Sequence, residues 1–191
     1  MNQKTALDIL KSGRNVFLTG QAGSGKTYVI NSYIRRLRAC GIPVAVTAST
    51  GIAATHIGGV TIHSWSGIGI KESLSDQDID LIAQKEHVFK NITSAKVLII
   101  DEISMLSAAT LDMIDRVCKA VRWDPRSFGG LQVVLCGDFF QLPPVSSSSD
   151  TKRFAFAASA WKQADFAMCY LETQYRQNDV TFSDILNQLR T

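Results

Sequence analysis

"GQAGSGKT", Gly20–Thr27, is the first sign of the fold. It matches G-x-x-x-x-G-K-[ST] in full. It follows a short apolar run, Asn15–Thr19, and precedes a segment in which Ile30, Tyr33, Ile34 and Leu37 recur at helical spacing. A strand, a glycine-rich loop and a helix in that order make a cradle for phosphate. Gly20, Gly23 and Gly25 let the backbone wrap so that the N–H groups of the loop, those of Ala22 and Ser24 included, face phosphate oxygens. The helix N-terminus adds positive potential. Lys26 is expected to reach the β- and γ-phosphates and Thr27 to ligate Mg²⁺, so the expected ligands are ATP and Mg²⁺.

Working outward, the same alternation continues. Gly41 and Pro43 close the first helix, and "VAVTA" (Val44–Ala48) reads as a second strand. Residues 71–91 are polar and mostly helical by pattern. "KVLIID" (Lys96–Asp101) is a buried strand. Leu111, Ile114, Val117, Cys118 and Val121 mark one face of a helix capped by Ser107. "LQVVLCGD" (Leu131–Asp138) and "FAMCYLE" (Phe166–Glu172) complete five strands, and a helix bearing Phe182, Ile185, Leu186 and Leu189 closes the chain. Continuously apolar strands are buried on both faces. With helices between them they form an α/β fold, a parallel sheet with helices on both faces, in a single domain over residues 1–191. Ligands of such sheets bind at the strands' carboxyl ends. Gly20–Thr27, Thr47–Gly51, Asp101–Glu102 and Gly137–Gln141 are all expected there, on one edge of one sheet.

Two of these motifs complete a hydrolytic site. An acid ending a buried strand holds Mg²⁺ directly or through its water, which assigns Asp101 to the metal. Glu102, one residue on, is placed to activate the attacking water, with capping of the next segment as its plain structural alternative. In "GDFFQLPPV" (Gly137–Val145), Gln141 suits orienting water or sensing the γ-phosphate, and the paired prolines stiffen the loop. In "QYRQ" (Gln174–Gln177), Arg176 is a candidate clamp on the γ-phosphate, set against an ordinary surface arginine. Gln3, ahead of the first strand, is a candidate reader of the adenine edge.

The bulk numbers fit this reading. The 191 residues suit one domain, and no apolar run approaches the eighteen or so residues of a membrane span. No secretory signal is visible, so a soluble intracellular protein without a membrane partner is expected, cytoplasmic in a bacterium and nuclear or mitochondrial in a eukaryote. The four cysteines lie far apart with no CxxC pair, which argues against zinc and against a disulfide framework; Cys118 and Cys136 read as small core residues. The net charge of +3 is a weak signal, and "RRLR" (Arg35–Arg38) reads as a solvated helix face. "SSSSD" (Ser146–Asp150) reads as a flexible loop.

In order along the chain, "GQAGSGKT", "TASTGIAA", "GGVTIHSWSGIG", "LIIDEISML", "FGGLQVVLCGDFFQLPPV" and "LETQYRQND" resemble the PIF family of superfamily-1 DNA helicases, cousins of the RecD-like helicases. The run from "DEISML" through "SFGGLQ" to "GDFFQLPPV" is the most specific, and RecD-like relatives differ at "TASTGIAA" and "FGG". The resemblance implies a RecA-like P-loop motor domain, ATP and Mg²⁺, and 5′-to-3′ movement on single-stranded DNA. It implies ATP contacts for Arg176 and Gln3. It also implies a second RecA-like lobe in cis, which this chain, ending at Thr191, does not contain. The isolated chain is therefore expected to be a monomer that binds ATP, hydrolyses it slowly and does not unwind.

Thr47–Gly69, "TASTGIAATHIGGVTIHSWSGIG", shows no core periodicity and carries donors for phosphates and flat groups for bases, as strand binding requires. Thr50 and the Gly51 N–H are the expected phosphate contacts. His63 and Trp65 are the expected base contacts, with packing beneath the loop as the alternative, left even for Trp65. Phe128 in "SFGG" reads as a packing residue beside a tight turn. Two other classes compete. A small-molecule P-loop kinase needs no water-activating Glu, so the DE pair and "GDFFQ" argue against it. A regulatory ATP-binding module needs no full set of Lys26, Thr27, Asp101, Glu102 and Gln141.

Overall fold

A computed structural model of the chain describes residues 1–144 and 154–172. Arg176, Ser146–Asp150 and the closing helix with Phe182–Leu189 lie outside the described residues.

The strands are β1 (Val16–Gly20), β2 (Val44–Ala48), β3 (Val60–Thr61), β4 (Val97–Asp101), β5 (Gln132–Cys136) and β6 (Ala167–Leu171). All pair in parallel, in the order β3-β2-β4-β5-β1-β6. Five match the runs read from the sequence. The two-residue β3 is too short for any apolar pattern to announce. β4 is buried at all five positions, as a central strand of a covered sheet requires.

Helices cover both faces. On one side α1 (Gln3–Lys11), α2 (Lys26–Ala39) and α3 (Gly51–His56) bury Ala6, Leu10, Ile30, Ile34, Leu37 and Ala54 against Leu18, Val46, Ile99 and Val134. On the other, α4 (Ile62–Ser66), α5 (Asp76–Ala83), α6 (Glu86–Ser94), α7 (Ala108–Arg122) and α8 (Ser159–Gln163) pack Ile62, Ile92, Ile114 and Val117 against Phe17, Leu98, Ile100 and Leu135. The two faces alternate residue by residue along each strand, as the pleat dictates.

The local signals act as their chemistry demands. The Ser107 hydroxyl accepts the Thr110 N–H at 3.1 Å and starts α7, a cap that stabilises a helix by about 1 kcal/mol. α2 ends at Ala39, with Cys40 as its cap and Gly41 left-handed (φ 66°). The polar stretch after Lys71 becomes two helices, because Ser75 and Asp78 form a reciprocal capping box that fixes the start of α5 at Asp76.

β5 sits between β1 and β4. That order sets the loop leaving β5, with Asp138 and Gln141, between the Gly20–Thr27 loop and the Asp101–Glu102 pair.

Candidate functional site

The glycine loop turns tightly after β1. A side chain at Gly20 would place its Cβ 2.7 Å from the Leu171 carbonyl oxygen and 2.8 Å from Ser24 Oγ, so only glycine allows this approach. Gly25 caps α2 in the left-handed region, φ 86°. Lys26, the first residue of α2, folds its ammonium back across the loop and donates to the Gly20 and Gln21 carbonyls at 2.8 and 3.1 Å. Ser24 is buried, and its hydroxyl has no hydrogen-bond partner among the described residues. An unpartnered polar atom inside a glycine cradle fits a loop built around a polar ligand.

At the end of β4 the two acids divide. Asp101 is buried. Its Oδ1 accepts the Glu102 N–H at 2.9 Å. Ile100 pairs with Leu135, so Cys136 lies beside Asp101 on the next strand. Burial pushes the Cys136 thiol well above its ordinary pKa, which keeps it neutral. Glu102 is left-handed, φ 53° and ψ 46°, which costs a residue with a Cβ on the order of 1 kcal/mol. Its side chain makes no capping bond to the turn Ile103–Met105 that follows, so the structure does not take the capping alternative. Burial first, and the neighbouring charges of Asp101 and Asp138 after it, raise the Glu102 pKa against an opposing pull from Lys26.

Asp138 is the organiser of the third motif. Its carboxylate accepts the Phe140 N–H at 3.1 Å and the Gln141 side-chain amide at 3.3 Å, and its carbonyl accepts the Gln141 N–H at 3.0 Å. These bonds hold the exposed Gln141 toward the glycine loop.

One cleft of about 600 Å³ joins these parts. Ala22, Gly23, Gly25, Lys26 and Thr27 line it on one side, with Glu102 and Gln141 opposite. Gln3, on the first turn of α1, lines the same cleft. A second cleft of about 640 Å³ shares Thr27, Glu102 and Gln141 and continues past Asp101 to Thr50 and Ser104. Thr27 and Asp101, the two expected metal ligands, thus face one space.

The strand-facing candidates divide as well. Thr50 accepts the Ala53 N–H at 3.2 Å as the cap of α3, and Gly51 is exposed beside it. His63 and Trp65 lie on α4, on the opposite face of the sheet at the β2–β3 edge, and line neither cleft just described. His63 is half-buried, and burial lowers its pKa, which keeps the ring neutral. Trp65 is 5% exposed and packs in the core with Ile62 and Ile68. This corrects two readings: Trp65 offers no face to a base, and the Thr47–Gly69 stretch does have a core pattern, the i, i+3, i+6 spacing of Ile62, Trp65 and Ile68.

The sequence reading passed over three residues that touch the site. Asp138 stood in a quoted motif without a role. Cys136 is buried as expected and is also a neighbour of Asp101. Ser49 donates its hydroxyl to the Glu102 carbonyl at 2.8 Å and its N–H to the Asp101 carbonyl at 3.1 Å. Its place directly after β2, level with the end of β4, was the available signal.

Comparison with known proteins points one way. The model of the PIF1-like helicase family matches residues 1–190. An ATP-dependent DNA helicase Pif1 from Psychrobacter sp. (strain PRwf-1) is 54% identical across all of this chain, which covers 30% of that protein. The PIF1 helicase of Saccharomyces cerevisiae (strain YJM789) is 40% identical over 98% of the chain, which covers 22% of it. The chain therefore spans less than a third of the length of these relatives. Among solved structures, the Pif1 helicase of Candida albicans superposes with a TM-score of 0.93 at 42% identity, over 98% of this chain and 43% of that one. A Bacteroides Pif1 helicase in complex with ADP-AlF3 and single-stranded DNA superposes at 0.85 with 33% identity, over 98% of this chain and 45% of that one.

Proposed function

The chain belongs to the PIF1-like helicase family, and from that premise we propose that it is the first RecA-like motor lobe of an ATP-dependent DNA helicase, moving 5′-to-3′ on a single strand. The observation that carries the reading is the single cleft in which the glycine loop, Glu102, Gln141 and Gln3 meet. A small-molecule kinase needs no water activator, whereas the half-buried Glu102 carboxylate beside the phosphate cradle suits that role.

The residues present fit ATP and Mg²⁺: a loop that a Cβ would close, an unpartnered Ser24 hydroxyl, and a hydroxyl and a buried carboxylate facing one space. Thr27 and Asp101 would hold the metal, which when bound neutralises charge on the phosphate oxygens. The loop N–H groups and the α2 N-terminus bind the phosphates, and Lys26 swings from the Gly20 and Gln21 carbonyls to the terminal phosphates. Gln3 holds the adenine edge through its amide. Glu102, unprotonated, takes the proton of the attacking water, and Gln141, steadied by Asp138, orients that water. Arg176, outside the described residues, is proposed as the internal clamp on the γ-phosphate. Thr50 and Gly51 hold strand phosphates, and His63 adds a neutral contact at the β2–β3 edge.

Arginine fingers at phosphoryl-transfer sites raise rates about 10³–10⁵-fold. If a second lobe supplies one, this chain alone binds ATP, hydrolyses it slowly and leaves a tailed duplex intact. Unwinding of a 5′-tailed duplex by the 191 residues alone would overturn that assignment.

A further inference from the structure

We propose that Ser49 is a positioning residue that carries strand contact at Thr50 to the water-activating Glu102. The inference rests on the reading of the site given above.

Ser49 leaves β2 and immediately precedes Thr50, the cap of α3. From this one residue two hydrogen bonds cross to the end of β4. The N–H holds the Asp101 carbonyl at 3.1 Å, and the hydroxyl holds the Glu102 carbonyl at 2.8 Å. The first continues the β2–β4 ladder by one step beyond the Ala48–Asp101 pair. The second is a side-chain bond, and it lands on the one residue of the DE pair whose backbone is left-handed, φ 53°. A residue with a Cβ stays in that region only where its surroundings hold it. Glu102 is held at both ends of its backbone: its N–H by Asp101 Oδ1 at 2.9 Å, and its carbonyl by the Ser49 hydroxyl at 2.8 Å together with the Met105 N–H of its own turn at 3.2 Å. Its carboxylate is left to face both clefts.

The second cleft runs from Glu102 to Thr50, so both ends of this linkage border one space. Thr50 is itself fixed to α3 through Ala53. A phosphate drawn to Thr50 or Gly51 therefore loads a short, rigid turn, and Ser49 is its last residue before the sheet. A shift of that turn moves the Glu102 carbonyl, and with it the direction of the carboxylate. Misplacement of a reacting group by about 1 Å costs about a hundredfold in rate, so small movements are enough.

The test uses the full polypeptide its gene encodes, with oligo-dT as the strand. ADP affinity, oligo-dT affinity and ATP turnover with and without oligo-dT are measured for the parent, Ser49→Ala and Ser49→Thr. The expected result is that Ser49→Ala keeps both affinities and loses about three- to tenfold of the strand-stimulated over unstimulated turnover, the scale of one lost hydrogen bond. Ser49→Thr, which keeps the hydroxyl, restores the ratio. If Ser49→Ala does not fold, Ser49→Cys, with a much weaker donor, carries the same comparison. An unchanged ratio in Ser49→Ala overturns the inference and leaves the helicase reading standing. So does a proportional fall of both rates together with the melting temperature, which would mark Ser49 as structural. A parent enzyme that oligo-dT does not stimulate overturns the helicase reading and this inference with it.

Discussion

The Glu102 N–H donates to the Asp101 carboxylate at 2.9 Å, so adjacent acids at one strand end share a hydrogen bond and still face different ways. Asp101 is buried and borders only the second cleft, while Glu102 reaches both. The division predicts separable losses. Glu102→Gln keeps the shape and the backbone bonds. It should bind ADP like the parent and turn ATP over about 10²–10⁴ times more slowly, the usual worth of a general base. Fluorescent-ADP titration and phosphate release measure the two. Equal loss of binding and turnover would return Glu102 to a structural role.

The pH dependence follows from the direction of the Glu102 shift. Burial, Asp101 and Asp138 raise its pKa, so the carboxyl takes up a proton at a higher pH than an ordinary glutamate. A general base works only unprotonated, so turnover should fall as pH drops through that raised value if Glu102 is the base. Asp138→Asn removes one raising charge and should move the acid limb to lower pH. Stability runs the opposite way. The unfolded chain ionises Glu102 more readily than the folded one does, so the buried carboxylate destabilises the fold above its raised pKa, and the penalty fades as pH falls through it. Glu102→Gln should therefore melt no lower than the parent at neutral pH.

On the far side of the β2–β3 edge, His63 and Trp65 are predicted to behave differently. His63 is held neutral, so His63→Ala should weaken oligo-dT binding without changing the slope of affinity against salt. ADP binding should survive. Trp65 is core, so Trp65→Ala should destabilise the domain by about 3–5 kcal/mol, with strand binding falling only as the fold does. A stable Trp65→Ala protein with selectively weak strand binding would restore the base-contact reading.

Much of this architecture was legible in the sequence, for identifiable reasons. The Gly20–Thr27 loop is local: a strand, three glycines and a helix need no distant partner to be read. β4 and β5 are continuously apolar, and Ser107 and the face Leu111–Val121 fix α7 by capping and spacing. What the sequence hid is relational. Nothing in "LCGD" says that Cys136 will lie beside Asp101, because that depends on the register of β4 against β5. Gln3 meets the glycine loop because α1 packs on α2, a fact of packing rather than of spacing. Trp65 was ambiguous because a five-residue helix carries too little pattern to show which side is buried.

The "SFGG" turn is pinned by a buried acid, Asp115, and by Arg122, whose Nε donates to the Gly129 carbonyl at 2.6 Å. Asp115 is 5% exposed, accepts the Phe128 N–H at 2.6 Å and pairs with Lys119 at 2.6 Å. Phe128 is fully buried although its backbone is left-handed, φ 51°. Asp115→Ala leaves a buried N–H unpartnered and removes the counter-charge of Lys119. It should lower stability by about 2–4 kcal/mol, measured by chemical denaturation. A loss under about 0.5 kcal/mol would show that the turn holds itself.

We propose that one cleft binds and hydrolyses ATP under the control of a DNA strand. The most direct test is steady-state ATP hydrolysis by the full polypeptide, titrated with oligo-dT, in the parent, Lys26→Ala and Glu102→Gln. Oligo-dT should stimulate the parent saturably, Lys26→Ala should lose ATP binding, and Glu102→Gln should bind ATP without stimulated turnover. Turnover indifferent to oligo-dT, or undiminished in Glu102→Gln, would contradict the proposal.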